Sequence, residues 1–288
     1  MIPSFILFPL AICAVLIPST RIGHVSILPW LLLYLLANVF AVAVGAVTPF
    51  GLTALAVLFG LAWAASRSTG LARFVLIVLF IALAVAFSTD KVPGAGKLTW
   101  PDAIPLGPPG ASFTPSFNVG KVSAGLLMYA LLVPRVSSVA EVRRFWKPTL
   151  AIGIVGTSIT VGAALALGYL HFDPKLPPAT AAYLASNLLF TCVAEEALAR
   201  GLLQESMHRA AERSQRPAMH VVAVVVSAVI FGIGHLHGGW HFVVLATLGG
   251  LTNALVYAKA RKVEASIVTH FMLNAAHFLF LTYPGLGR

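Results

Sequence analysis

The chain has 288 residues, of which 59% are hydrophobic and only 10% are charged, and its mean hydropathy is +0.92. These values exclude an ordinary soluble domain, in which about 25% of the residues are charged. The formal net charge of +10 does not indicate a nucleic-acid partner, because the basic residues lie in connections between apolar runs and are not gathered on one face.

Apolar runs recur along the whole chain, and many approach the length of about 20 helical residues that crosses a bilayer. We therefore predict an all-α fold, a polytopic transmembrane helical bundle with about eight to ten spans. The first run lacks both a basic residue before it and a clear small-x-small cleavage site, so we expect a retained helix. The predicted segments are 4–18, 25–46, 49–65, 71–88, 119–134, 149–170, 180–208, 218–235, 240–258 and 264–283.

The stretch from Asp90 to Lys121 is rich in proline and glycine, which predicts an irregular loop between two helical parts. We place a domain boundary at its end. Residues 1–118 would hold the N-terminal transmembrane helices and the loop, and residues 119–288 would form a second domain. The only two cysteines, Cys13 and Cys192, lie in apolar segments, so neither a disulfide framework nor a cysteine metal site is expected.

Arginine and lysine are concentrated in alternate connections, which follow the first, third, fifth, seventh and ninth segments. The positive-inside rule predicts that these connections are cytoplasmic, and this places both chain ends outside the cytoplasm. A short polytopic chain without a targeting extension fits a multi-pass integral protein of the bacterial inner membrane. We expect that localisation, with the lipid bilayer as a partner.

The seventh segment carries three charged residues in its middle, in the stretch "TCVAEEALAR". Each charge at membrane depth costs about 2.5 to 3.5 kcal/mol, so such groups persist mainly where they are paired or functional. Glu196 and Arg200 stand at i and i+4 and can pair on one helical face, whereas Glu195 projects about 100° away. A structural cluster of all three residues would also explain their presence.

Histidines end the eighth segment, where "VIFGIGHLHGGWH" contains His235, His237 and His241. Taken alone, a histidine at the end of a span is usually an interfacial residue. The glycines at 238 and 239 predict a break in the helix directly after these positions.

The tenth segment has a polar stripe, because "ASIVTHFMLNAAHF" sets His270 and Asn274 at i and i+4 with His277 one step further. Hydrogen bonding between membrane helices would explain such a stripe. A glutamate, two histidines and an asparagine also form a set suited to hydrolysis, with a base, an imidazole that holds water, and donors for an oxyanion.

The sequence lacks the residue patterns of several other protease types. The three aspartates, Asp90, Asp102 and Asp173, all lie in connections, so a pair of intramembrane aspartates is not available. The chain contains neither Gly-x-Ser-x-Gly nor His-Glu-x-x-His.

Three motifs on successive polar-bearing segments together resemble one family, the CAAX-processing and bacteriocin-processing (CPBP or Abi) intramembrane endopeptidases, which include the type II CAAX prenyl endopeptidases. The motifs are Glu195-Glu196-Ala-Leu-Ala-Arg200-Gly201, Phe231-Gly-Ile-Gly-His235 and His270-Phe-Met-Leu-Asn274. Each motif alone is a weak pattern, but the three in this order are specific. The resemblance covers about residues 180 to 283, the motif-bearing core of the domain predicted at 119–288.

The resemblance implies a role for each motif residue. Glu195 and His235 would activate a water molecule, and His270 and Asn274 would stabilise the tetrahedral oxyanion. The remaining motif residues would support the site, and these are Glu196, Arg200 and Phe231. The resemblance further implies a glutamic-type intramembrane endopeptidase whose substrate is a membrane-associated peptide or protein.

Alternatives to this interpretation stay open. One glutamate and two histidines could hold zinc, but Asn274 is a poor zinc ligand and a good oxyanion donor, so we expect no metal and no cofactor. A bacteriocin-immunity or other partner-binding protein could use the same scaffold without proteolysis, although the intact motifs argue against it. A proton-coupled transporter is a third possibility, and the confinement of the polar groups to the second half of the chain argues against it.

Overall fold

The computed structural model describes residues 2–22, 25–100, 102–105 and 112–282. Parts of two sequence predictions lie outside the described residues. These are residues 101 and 106–111 of the predicted loop and residue 283 of the last predicted segment.

The first part of the chain forms four helices, and two of them begin at a proline. They are α1 (Ile2–Ala14), α2 (Pro29–Ala43), α3 (Pro49–Arg67) and α4 (Gly70–Ser88). Proline suits the first helical position because its fixed φ is already helical and its missing N–H would have no partner there. Thr48 also caps α3, since its hydroxyl accepts a hydrogen bond from the Gly51 N–H at 3.3 Å.

Short strands correct two sequence predictions. Residues 25–27 were predicted to begin the second helical segment, but they form β2 (Val25–Ile27), which pairs antiparallel with β1 (Thr20–Ile22). The helix begins only at Pro29, and proline is favoured at this first helical position. The predicted loop also contains strands, and these are β3 (Lys97–Thr99), β4 (Ile104–Pro105), β5 (Ser112–Phe113) and β6 (Ser116–Asn118).

After β6, the chain continues as α5 (Val119–Leu127) and a π-helical turn at Met128–Leu132. The next helix, α6 (Val139–Ala166), begins ten residues earlier than the predicted start at 149. Ser138 caps it by accepting a hydrogen bond from the Glu141 N–H at 3.3 Å. The helix continues through Pro148, the residue directly before the predicted start.

The predicted segment 180–208 is helical and extends to Arg213, with π-helical stretches inside it. It comprises α7 (Thr180–Ser186), a π-helical stretch at Asn187–Cys192, α8 (Val193–Glu196), a second π-helical stretch at Ala197–Gln204, and α9 (Glu205–Arg213). The last three helices are α10 (Ala218–Ile233), α11 (Trp240–Ala260) and α12 (Val263–Phe280). A 3-10 turn at Leu236–Gly238 and the positive φ of Gly239 separate α10 from α11, as the glycines predicted.

Helix α11 is the centre of the second half, because it packs against α6, α10 and α12. Two glycines allow the close approach. A Cβ added at Gly156 of α6 would overlap Thr252 of α11, and one added at Gly232 of α10 would overlap Thr247. Small residues at such contacts let membrane helices approach each other closely.

The chain divides into two compact units. The first contains 1–104, 113–133 and 189–194, and the second contains 105–112, 134–188 and 195–288. The grouping therefore assigns α5 to the first unit, whereas the sequence boundary at 118 assigned it to the second domain. That boundary stays a prediction.

The all-α membrane fold is confirmed. Among the described residues, four helices are long and apolar enough to cross a membrane, namely α3, α4, α6 and α11. Shorter apolar helices cover Pro3–Ala14, Pro29–Ala43, Val119–Leu132 and Ala218–Ile233. The number of eight to ten spans stays a prediction.

Candidate active site

The two glutamates of the first motif lie in the single turn of α8, between two π-helical stretches. Insertions of π-helix are rare and occur frequently at functional sites. The predicted membrane helix is therefore irregular directly before and directly after the turn that carries the two glutamates.

Glu195 lies beside His235, which comes from the end of α10. The Glu195 Oε2 and the His235 Nε2 are 3.9 Å apart, and the two side chains are 27% and 22% exposed. The other ring nitrogen, Nδ1, donates a hydrogen bond to the Phe231 carbonyl oxygen at 2.8 Å. Because a carbonyl only accepts, Nδ1 carries a proton, and in neutral His235 the Nε2 that faces Glu195 is an acceptor.

Glu196 points into a different, fully buried environment. Its Oε2 accepts a hydrogen bond from Arg200 Nε at 3.0 Å, and its Oε1 accepts one from His270 Nδ1 at 2.9 Å. The predicted pairing of Glu196 with Arg200 is present, and the side chains of both residues are 0% exposed. The first motif therefore joins the third motif through Glu196, not through Glu195.

Phe231, the first residue of the second motif, contacts side chains of all three motifs. The Arg200 guanidinium carbon lies 5.1 Å from the centre of its ring, within the range of a cation–π interaction. The His235 ring centroid is 4.8 Å away, and the His270 ring meets it edge-on at 5.5 Å. These contacts with one cation and two aromatic rings explain why an aromatic side chain suits position 231.

A cavity of about 500 Å³ lies beside the motif residues, and most of its lining is apolar. His235, His270 and Asn274 contribute to its wall, as does His237, which the sequence indicated only as an interfacial residue. Asn274 is oriented by another amide, because its Nδ2 donates to the Asn187 Oδ1 at 3.1 Å.

Residues 177–276 match the family model described as type II CAAX prenyl endopeptidase Rce1-like. This segment, about a third of the chain, is similar to that family. It contains all three motifs, and at the level of the family it supports an intramembrane CAAX-type endopeptidase. No curated protein and no solved structure matches the chain significantly.

Within the matched segment, the predicted site residues come together in two groups. One is the Glu195–His235 pair, and the other is the Glu196–Arg200–His270 cluster. Phe231 contacts both groups. Asn274 lines the cavity with His235 and His270. The catalytic roles of these residues stay predictions.

Several polar residues of the same network were missed by the sequence reasoning. Arg200 NH1 donates to the Ser227 hydroxyl at 3.2 Å, and that hydroxyl lies 3.0 Å from the Gln204 Oε1. Asn253 donates from Nδ2 to the Glu196 Oε1 at 3.0 Å. Ser227, Gln204 and Asn253 are uncharged and lie in apolar stretches of the sequence, so a search for charged groups overlooked them. Intramembrane serine, asparagine and glutamine could have been found as hydrogen-bonding groups.

The described side chains do not form a metal site. Among them, no group of three or more His, Cys, Asp or Glu residues could hold a metal ion. In the set considered for zinc, the His270 Nδ1 is bound to Glu196, while Glu195 and His235 form a separate pair. A metal-free reaction stays a prediction, and chelation tests it.

Proposed function

We propose that this chain is an intramembrane endopeptidase that hydrolyses a peptide bond of a membrane-associated protein or peptide with a water activated by Glu195 and His235. The observation that carries the proposal is the approach of the Glu195 Oε2 to within 3.9 Å of the His235 Nε2. These two residues come from motifs 40 positions apart in the chain. The bacterial inner membrane predicted from the sequence is part of the proposal.

The separation of the two atoms suits a bridging water. A water molecule about 2.8 Å from each of them would donate one hydrogen to the carboxylate and the other to the imidazole. Its oxygen lone pairs would then be directed away from the protein atoms and toward a substrate carbonyl. Glu195 takes a proton as the water oxygen attacks the carbonyl carbon, and it returns this proton to the leaving amine when the C–N bond breaks.

The negative charge that forms on the carbonyl oxygen requires donors. Asn274 can donate from its amide nitrogen. Because the His270 Nδ1 is bound to Glu196, only Nε2 remains for an oxyanion, and donation from Nε2 as well as from Nδ1 requires the imidazolium form. The buried Glu196 carboxylate is placed to stabilise that cation, and this gives Glu196 a role beyond its pairing with Arg200.

The cavity supports a substrate with a bulky apolar group. Its volume of about 500 Å³ falls in the range of small-molecule sites, and its lining includes Phe231, Phe242, Leu245 and Leu273. The matched family is described as a CAAX prenyl endopeptidase, so a prenylated C-terminal peptide is the first substrate to test.

The direct test is cleavage by the purified chain in lipid nanodiscs. Three internally quenched peptides are compared: a CAAX peptide with a prenylated cysteine, the same peptide without the prenyl group, and a bacteriocin-precursor peptide. We expect cleavage of the prenylated peptide and a much lower rate without the prenyl group. Binding of a peptide without cleavage of any would contradict the proposal and favour a non-proteolytic partner-binding protein.

Replacement of each oxyanion donor is expected to lower kcat with little change in substrate affinity. His270→Ala and Asn274→Ala should each slow turnover by about 100- to 1,000-fold, because such donors act mainly on the transition state. The measurements are kcat and, separately, the peptide Kd. His241→Ala is the matched control, since His241 belongs to none of the motifs and stacks on Tyr169. Loss of binding with unchanged turnover would instead indicate that the stripe on α12 docks the substrate.

A further inference from the structure

The Glu196 carboxylate accepts hydrogen bonds from side chains on three separate parts of the fold. Arg200 follows it in the same helical run, and His270 lies on α12. The third donor, Asn253, lies on α11 and belongs to none of the three motifs. Its Nδ2 donates to the Glu196 Oε1 at 3.0 Å, the same oxygen that accepts from the His270 Nδ1 at 2.9 Å.

Partners on both sides fix the orientation of the Asn253 amide. An ionised carboxylate only accepts, so the face of the amide toward Glu196 must be the NH2 group. The Asn253 Oδ1 then faces Thr269, whose hydroxyl donates to it at 2.8 Å, a shorter distance than to the backbone carbonyls of its own helix at 3.1 and 3.5 Å. Asn253 is 2% exposed and Thr269 is 1% exposed, so water does not compete for these bonds.

The two hydrogen bonds at the Glu196 Oε1 determine which way the carboxylate faces. The terminal torsion of glutamate is broad and has little intrinsic preference. The bond from Asn253 holds the Oε1 in place without adding a charge, and in this position the Oε1 reaches the His270 Nδ1. Through Glu196, Asn253 therefore acts on the orientation of the His270 ring.

We propose that Asn253 and Thr269 are positioning residues for the reaction at this site: Thr269 orients the Asn253 amide, Asn253 fixes the Glu196 carboxylate, and Glu196 holds the His270 ring by its Nδ1. This inference rests on the proposed function for its catalytic consequence. The hydrogen-bond chain itself can be measured without a substrate.

Two substitutions break the chain at different points, and two controls leave it intact. Asn253→Leu removes the donor to Glu196, and Thr269→Val removes only the hydroxyl that orients Asn253. Thr269→Ser keeps this hydroxyl and should restore the parent behaviour. Thr252→Val makes the same chemical change at the residue before Asn253. The Thr252 hydroxyl donates to the Leu248 carbonyl oxygen of its own helix and does not belong to the hydrogen-bond chain.

The first readout is the Nδ1–H proton signal of His270 in histidine-labelled protein in nanodiscs, assigned by its loss in His270→Gln. A buried hydrogen bond to a carboxylate should make this proton strongly downfield-shifted and slow to exchange. We expect the signal to persist in Thr269→Ser and Thr252→Val, to weaken in Thr269→Val, and to be lost through exchange in Asn253→Leu. An unchanged signal in both Thr269→Val and Asn253→Leu would overturn the proposal.

The second readout separates kcat from KM on the prenylated peptide. Misplacement of the His270 ring should lower kcat by about 10- to 100-fold and leave KM within about twofold. A fall in kcat with an unchanged His270 signal would contradict positioning through Glu196. A changed signal with unchanged kcat would do so as well. Failure of the parent chain to cleave any peptide would overturn the proposed function and not the hydrogen-bond chain. If Asn253→Leu does not fold, Thr269→Val decides the question, because it changes one hydroxyl to a methyl group.

Discussion

Replacement of Glu195 by glutamine is expected to abolish most of the cleavage, with a loss of about 100- to 10,000-fold in kcat. Glutamine keeps the shape of the side chain but cannot take a proton from the water held with His235. The protein should fold and bind substrate normally, since Glu195 is 27% exposed and its described ion-pair partner is His235 alone. The measurements are single-turnover cleavage of the prenylated peptide, the peptide Kd and the melting temperature.

Glu212→Gln is the matched control for this substitution. Glu212 lies in the same helical run, is 51% exposed and forms an ion pair with Arg261. A hydrogen bond from Arg261 lowers the pKa of Glu212 below its ordinary value, so the control also removes an ionised carboxylate at neutral pH. Its kcat should equal that of the parent. Normal cleavage by Glu195→Gln would end the glutamic mechanism. Chelator inhibition that zinc reverses would instead assign Glu195, His235 and His270 to a metal.

The parts of the site that the sequence predicted are those that local geometry determines. The pairing of Glu196 with Arg200 follows from an i, i+4 spacing on a helix, and the structure contains it. The division between a partly exposed Glu195 and a buried Glu196 agrees with their divergence of about 100° on a helix. Such relations need no knowledge of how the helices pack.

The relations that the sequence did not predict depend on packing between helices. Asn253 meets Glu196 only because α11 lies against the second π-helical stretch and α12. The two partners of this hydrogen bond are 57 residues apart in the chain. The early start of α6 was missed for a different reason. The residues before 149 were assigned to a charged connection, whereas α6 begins after the Ser138 cap and continues through Pro148.

The difference in exposure between Glu195 and Glu196 suits the two different roles proposed for them. The proposed base must reach both water and substrate, and Glu195 is partly exposed, as this role requires. A carboxylate that orients a histidine is most effective where water cannot compete, and Glu196 is fully buried. Adjacent positions on one helical turn thereby provide two environments for the same side chain. This gives the Glu-Glu pair of the first motif a physical reason beyond charge.

Replacement of Glu196 by alanine is expected to destabilise the fold by about 3 to 5 kcal/mol, because it leaves the Arg200 guanidinium buried without its counter-ion. Arg200 is 0% exposed, and its remaining described contacts are the Ser227 hydroxyl and the Phe231 ring. Neither of them carries a charge. The substitution also removes the acceptor for His270 and Asn253, so activity should be lost as well. The measurements are the yield of membrane-inserted protein and its melting temperature in nanodiscs.

Two comparisons separate the loss of this pair from a general effect of removing a carboxylate. Glu212→Ala breaks the exposed pair with Arg261 and should change the melting temperature little, because exposed ion pairs contribute little to stability. The double substitution Glu196→Gln with Arg200→Met removes both charges, and it should recover much of the stability lost in Glu196→Ala without recovering cleavage. Recovery of stability without activity is the result expected if the buried charge is the source of the destabilisation and the oriented His270 is the source of turnover. Glu196→Ala protein that accumulates and melts like the parent would show that the buried pair does not stabilise the fold.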